Sequence, residues 1–183
     1  RYAVTRPHIQ NIEMIAMEIF DSMKKIHGMG ARERLLLQIA AMLHDVGKYI
    51  SLNSPGQCTY HIIMSNEIIG LSHAEREMIA LIGRYNTEYL PQYDQFAQAA
   101  AVSEEKYLKI AEMTAILRLA NTLDRSHQQK VQQARAVLKE RELTLYLTVN
   151  GDFTLEQGLC KDKMDFFYEV FSVRPILKVK RQL

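Results

Sequence analysis

The sequence predicts a mainly α-helical bundle with a small C-terminal α/β appendage. Two patterns point to it. Apolar residues recur with the helical period from Ile9 to about Asp124, whereas Leu143, Leu145, Leu147 and Val149 alternate with Thr144, Tyr146 and Thr148 in the period of a half-buried strand. With 48% hydrophobic and 24% charged residues in 183, the chain can build a core and contains no disordered tract. The expected division is a helical unit over 1–130 and an appendage over 131–183 in the order strand, strand, helix, strand.

Thr5 and Pro7 suit a helix N-terminus, and Ile9, Ile12, Ile15, Met17, Ile19 and Met23 carry that helix toward Gly28 and Gly30. Arg32 to Tyr49 is apolar nearly all round, the pattern of a helix in the middle of a bundle. A loop at Asn53–Gly56 precedes a short helix at His61–Ile69. Ser72 with Glu75 forms a capping box that opens the next helix, through about Arg84. A looser segment around Pro91 follows, and Ser103 caps a long helix to about Asp124. Val131 to Leu138 is ambiguous between helix and strand. Beyond it come the strand ending at Val149, a turn at Asn150-Gly151, a helix from Leu155 to Phe171 and a last strand at Ile176–Lys180.

The balance of 23 Lys+Arg against 21 Asp+Glu gives +2, too little for bulk attraction to nucleic acid or an anionic membrane, so neither is an expected partner. The longest apolar run, Leu35–Leu43, is broken by Gln38 and falls far short of the roughly 20 residues of a membrane span. Cys58 and Cys160 form no disulfide framework, which suits a reducing, cytoplasmic setting. The chain opens on Arg1 without a signal-peptide pattern, as a domain of a longer protein would.

The sharpest local feature is Leu43-His44-Asp45-Val46-Gly47-Lys48, polar residues interrupting the most apolar stretch of the chain. Burying an imidazole beside a carboxylate costs several kcal/mol unless they are paired, hydrogen-bonded or bound to a cation. Nitrogen and oxygen donors together suit a divalent ion such as Mn, Fe, Zn, Ni or Mg. His8 near the chain start and Asp124 at the end of the long helix are positioned to complete such a site. The ordered set His8, His44-Asp45, Asp124 resembles the HD superfamily of metal-dependent phosphohydrolases, and the resemblance implies an HD-type helical bundle whose four residues bind one divalent metal.

A closer resemblance covers nearly the whole chain. It rests on Leu43–Gly47, Tyr60-His61-Ile62-Ile63, Ile69–Glu75 and Leu117–Ser126, followed by the terminal α/β unit, and is to the C-terminal region of exopolyphosphatase/guanosine pentaphosphate phosphohydrolase proteins. It implies N-terminal actin-like domains, with the main phosphate loops, as partners in the same protein. It also implies polyphosphate or a phosphorylated nucleotide as substrate, and a homodimer. No phosphate-cradling glycine loop occurs here. His61 matches one further metal-ligand position of two-metal relatives, whereas Asn86 stands where relatives often carry His, so one ion is expected.

On this reading His8, His44, Asp45 and Asp124 hold the metal, with His61 as a possible addition. Asp45 and Lys48 serve the chemistry, and Lys48, Arg84, Arg118 and Arg125 bind phosphate oxygens. The alternative is a non-catalytic module for polyphosphate binding and dimerisation. His27 reads as a cation at a helix C-terminus and His73 as a first-turn surface residue; His127 follows the Asp124-Arg125-Ser126 run and could approach the site, but its favoured reading is the bland one. Arg174, Lys178, Lys180 and Arg181 read as the solvated face of an edge strand.

Overall fold

A computed structural model describes residues 6–182; Thr5, the proposed start of the first helix, lies outside them. The described residues form nine α-helices, one 3-10 turn and three strands. The helices are α1 (Arg6–Ser22), α2 (Lys24–His27), α3 (Ala31–Leu43), α4 (Pro55–Met64), α5 (His73–Tyr85), α6 (Tyr93–Ala99), α7 (Glu104–Thr122), α8 (Thr154–Leu159) and α9 (Lys161–Phe171). The strands are β1 (Val131–Lys139), β2 (Glu142–Val149) and β3 (Arg174–Arg181).

α7 is the central helix. Ile110, Met113, Ile116, Leu117 and Leu119 are fully buried on it, and Ile12, Ile15, Ile19, Leu37, Ile79 and Ile82 from α1, α3 and α5 join the same core. Ser103 caps α7 by accepting from the Lys106 amide, and the Ser72–Glu75 capping box opens α5 as the sequence indicates. β2 lies between β1, antiparallel, and β3, parallel, so α8 and α9 form the crossover that parallel pairing requires. α1 covers the outer edge of β1. Ser22 donates to Ala136 O, Glu18 accepts from the Ala136 amide, and Asn11 donates to Val131 O. Those side chains satisfy backbone groups that an edge strand would leave unpaired. β3 is the other edge, and Arg174, Lys178, Lys180 and Arg181 are exposed on it.

Six sequence expectations change. The first helix does not run to Gly28; it breaks at Met23. Near that break His27 is not a dipole-matching cation. Its Nε2–H donates to Phe20 O at 2.8 Å while Nδ1 accepts from the Met29 amide at 2.9 Å, and burial pushes its pKa down, so the neutral ring ties the turn together. The helix expected over 32–49 ends at Leu43, leaving His44 and Asp45 in a turn before a 3-10 turn at Val46–Tyr49; Leu35 and Met42 are exposed, so it buries one face only. The short helix placed at 61–69 lies instead at Pro55–Met64, because Pro55 takes the first helical position, where its missing N–H is harmless. The segment around Pro91 contains α6, held by the buried Phe96, and the helix from 155 to 171 divides at Cys160 into α8 and α9.

Candidate metal centre

The turn after α3 docks on α4 through Gly47. The Gly47 amide donates to Thr59 Oγ1 at 3.0 Å, and Thr59 donates in turn to His44 O at 3.3 Å. A Cβ on Gly47 would fall within contact distance of Pro55 O and the Thr59 amide, so only glycine allows the approach. Consecutive residues on a helix point about 100° apart. Leaving the helix at Leu43 lets His44 and Asp45 face one place.

That place is buried. His8 and Asp124 are 1% exposed, His44 2% and Asp45 6%. His44 Nδ1–H donates to Ala41 O at 2.7 Å, which leaves Nε2 with its lone pair 3.3 Å from Asp45 Oδ1. His8 Nδ1–H donates to Asp124 Oδ2 at 2.6 Å, which turns Nε2 toward Asp45 Oδ2 at 4.0 Å. His8 Nε2, His44 Nε2 and Asp45 Oδ1 have no hydrogen-bond partner. In the neutral rings all three are acceptors, so they repel one another unless a proton or a metal cation lies among them. A proton on His44 is disfavoured, because burial pushes its pKa down. For Asp45 burial acts upward, but His44, Lys48 and His8 outweigh it and hold the carboxyl below its ordinary value. The donor set therefore fits a divalent ion in type and in need.

The structure brings His8, His44, Asp45 and Asp124 together, with Asp124 behind His8. Asp124 Oδ2 accepts from His8, and Oδ1 accepts from the Gln129 amide at 2.7 Å. This is the arrangement in which a carboxylate fixes the tautomer and orientation of a ligating imidazole. Lys48 Nζ is 2.7 Å from Asp45 Oδ2, and its side chain is one-third exposed. His61 is exposed on α4 and makes no hydrogen bond, ion pair or ring contact with the cluster.

His127, whose favoured reading from the sequence keeps it out of the site, belongs with the cluster. Its ring stacks on His8 with centroids 3.6 Å apart and planes 11° from parallel, and one ligand atom each of His8, Asp45 and His127 lies within 4.8 Å of the other two. Burial, His8 and Lys48 push its pKa down, so its ring stays neutral. Two features hold it there: a left-handed backbone at φ 55°, and a loop tied at both ends by the buried Glu156, which accepts from the Ser126 amide and from Lys130 Nζ. Only the closeness of His127 to Asp124 in sequence hints at this.

The three arginines diverge. Arg84 pairs with Glu88 at 2.7 Å. Arg118 donates to the carbonyls of Tyr85 and Glu88 and lies over the Phe166 ring, so it ties α7 to the end of α5 and to α9. Arg125 is exposed, and with Arg118 it lines a cavity of about 510 Å³ between the end of α5, α7 and the start of α9, to which none of His8, His44, Asp45, Lys48 and His127 contributes.

Residues 1–166 match the family described as Ppx/GppA phosphatase, domain III, and the chain belongs to that family. No curated protein matches the chain significantly. Among the described residues no helix is long and apolar enough to cross a membrane.

Proposed function

We propose that this domain is an HD-type phosphohydrolase module with one divalent-metal site, acting on phosphate esters, nucleotides or polyphosphate alongside actin-like domains of a longer protein. The observation that carries the reading is a set of buried, unpartnered acceptors, His8 Nε2, His44 Nε2 and Asp45 Oδ1, beside a group of His8, Asp45 and His127 whose ligand atoms lie within 4.8 Å of one another. His8, Asp45 and His127 would hold the ion, His44 adds its free Nε2 beside Asp45, and Asp124 acts through His8. Mn, Fe, Zn, Ni and Mg all suit such donors. A bound divalent cation supplies Lewis acidity toward a phosphoryl oxygen and toward water.

The protein's own groups supply the rest. Lys48 neutralises Asp45 and, from its partly exposed position, meets a phosphate oxygen as a point charge. His127 is exposed at the rim and neutral, so its ring offers a lone pair to the ion. Residues 1–130 carry this chemistry, and 131–183 support it through the Glu156 hold on the loop of His127.

Asp124 also favours a second reading. With both carboxylate oxygens satisfied and Asp45 held by Lys48, the cluster could serve as a structural knot in a non-catalytic module for polyphosphate binding and dimerisation. Turnover of a panel of phosphate esters and nucleotides with each of the five metals separates the two. The first reading predicts metal-dependent hydrolysis that is lost in Asp45→Ala. Inactivity of the folded chain with every metal overturns it.

A further inference from the structure

Glu156 is a fully buried carboxylate, 0% exposed, and it sits on α8, outside the helical unit that supplies the His/Asp cluster. Its Oε1 accepts from the Ser126 amide at 3.2 Å, and its Oε2 accepts from Lys130 Nζ at 3.1 Å. One carboxylate thus grips the chain on both sides of His127. Burying a charge is costly even when it is paired and hydrogen-bonded, and an apolar side chain of similar size would cost less. Anchoring β1 does not account for it. The start of β1 is fixed without Glu156, because the Asn150 amide donates to Lys130 O at 2.8 Å and Asn11 donates to Val131 O at 2.6 Å.

The segment that Glu156 grips is strained. Among the described residues four other than glycine have a left-handed backbone, and two of them are His127 at φ 55° and Gln129 at φ 50°. Such a backbone persists only where its surroundings fix it. Within the segment the Gln129 amide donates to Asp124 Oδ1 at 2.7 Å and Gln129 Nε2 donates to His127 O at 2.6 Å, which ties the backbone to the end of α7. The His127 ring has no comparable anchor. Among the described residues its one ring contact is the stack on His8, with centroids 3.6 Å apart, and no hydrogen bond orients it. The place of the ring is therefore set by the backbone around it, and that backbone is held from α8.

We propose that Glu156 is a positioning residue of the metal centre: through Ser126 and Lys130 it holds the backbone from which His127 presents its ring beside His8 and Asp45. The proposal rests on the metal reading given above and deepens it, since the ligand set then depends on α8 of the C-terminal unit as well as on the helical bundle. Without Glu156 the strained segment relaxes, His127 leaves the ion, and the remaining donors hold it with lower affinity. Residues that orient a metal ligand from behind are worth about 10–100-fold in metal affinity.

The test is calorimetric titration of Zn²⁺ into the 183-residue chain and into Glu156→Ala, His127→Ala and the double variant, with circular dichroism to check each fold. Glu156→Ala should bind about 10–100-fold more weakly than the parent, and the double variant within about twofold of His127→Ala, because Glu156 then has nothing left to position. A merely structural Glu156 would weaken the double variant by the product of the two losses. Glu156→Gln keeps an acceptor for the Ser126 amide without the charge for Lys130, and its affinity should fall between those of the parent and Glu156→Ala; with Lys130→Met it carries the same cycle if Glu156→Ala does not fold. In the metal-free chain a nuclear Overhauser contact between the His8 and His127 rings should be present in the parent and lost in Glu156→Ala. Retention of that contact, Zn²⁺ affinity of Glu156→Ala within about twofold of the parent, or multiplied losses in the double variant each overturns the positioning role and leaves the metal site standing. A parent that binds no ion overturns the metal reading and this proposal with it.

Discussion

Replacing Gly47 by alanine tests the packing that builds the His/Asp cluster. The new methyl would lie 2.6 Å from Thr59 Oγ1 and closer still to Pro55 O and the Thr59 amide, and two of these three neighbours are backbone atoms that cannot rotate away. The turn must therefore lift off α4. Overpacking of this kind costs about 1–3 kcal/mol. Lifting also breaks the Gly47 to Thr59 and Thr59 to His44 hydrogen bonds, at about 1 kcal/mol each. The total is about 3–5 kcal/mol, and at about 2–4 °C per kcal/mol for a chain of this size the melting temperature falls by about 6–20 °C. Thermal and urea unfolding followed by circular dichroism give both quantities. Gly158→Ala is the internal control: nothing lies within 4 Å of its Cβ, it is helical, and alanine there stabilises by up to about 1 kcal/mol. A Gly47→Ala melting temperature within about 3 °C of the parent would refute the close-approach argument.

Other substitutions probe the surrounding fold. Arg118→Met removes two hydrogen bonds to backbone carbonyls and the stack on Phe166, and urea unfolding should show a loss of about 2–4 kcal/mol; under 1 kcal/mol would mean that Arg118 is not a brace. Glu112, 7% exposed on α7, has its pKa pushed up to about 7 by burial. Its folded pKa lies above the unfolded value, so its stability contribution is complete below about pH 4.5 and is lost as pH rises through about 7. Glu112→Gln should match the parent near pH 4 and exceed it by about 1–2 kcal/mol at pH 8, a figure reduced for solvent screening. An equal difference at both pH values would contradict the assignment.

The helical period revealed α1, α3, α5 and α7, and the capping residues Ser72 and Ser103 gave two of their starts, because long amphipathic helices write their burial into the sequence. Strand β2 was legible for the same reason, as its burial alternates. The end of α3 was not, since Leu43 through Tyr49 continues an apolar pattern while the chain leaves the helix at Leu43 and passes through a turn at His44 and Asp45. α6 rests on one buried aromatic, Phe96, too few positions to show a period. Order and residue type singled out His8, His44, Asp45 and Asp124, and the structure brings them together. Their division of labour, with Asp124 gripping His8, depends on ring orientation and has no sequence signature. His127 escaped because a left-handed loop residue anchored by the distant Glu156 has no local pattern. The arginines illustrate the reverse problem: composition marks them as phosphate ligands, whereas two of the three are occupied by carbonyls or a carboxylate.

The most direct test of the central claim is the metal content of the chain purified without chelator, measured by elemental mass spectrometry beside Asp45→Ala and His8→Ala. Three buried acceptors in want of a cation predict about one equivalent of a divalent metal in the parent and its loss in both variants, with the helical fold retained. A folded parent that carries no metal, and binds none when Mn, Fe, Zn, Ni or Mg is added, would contradict the account.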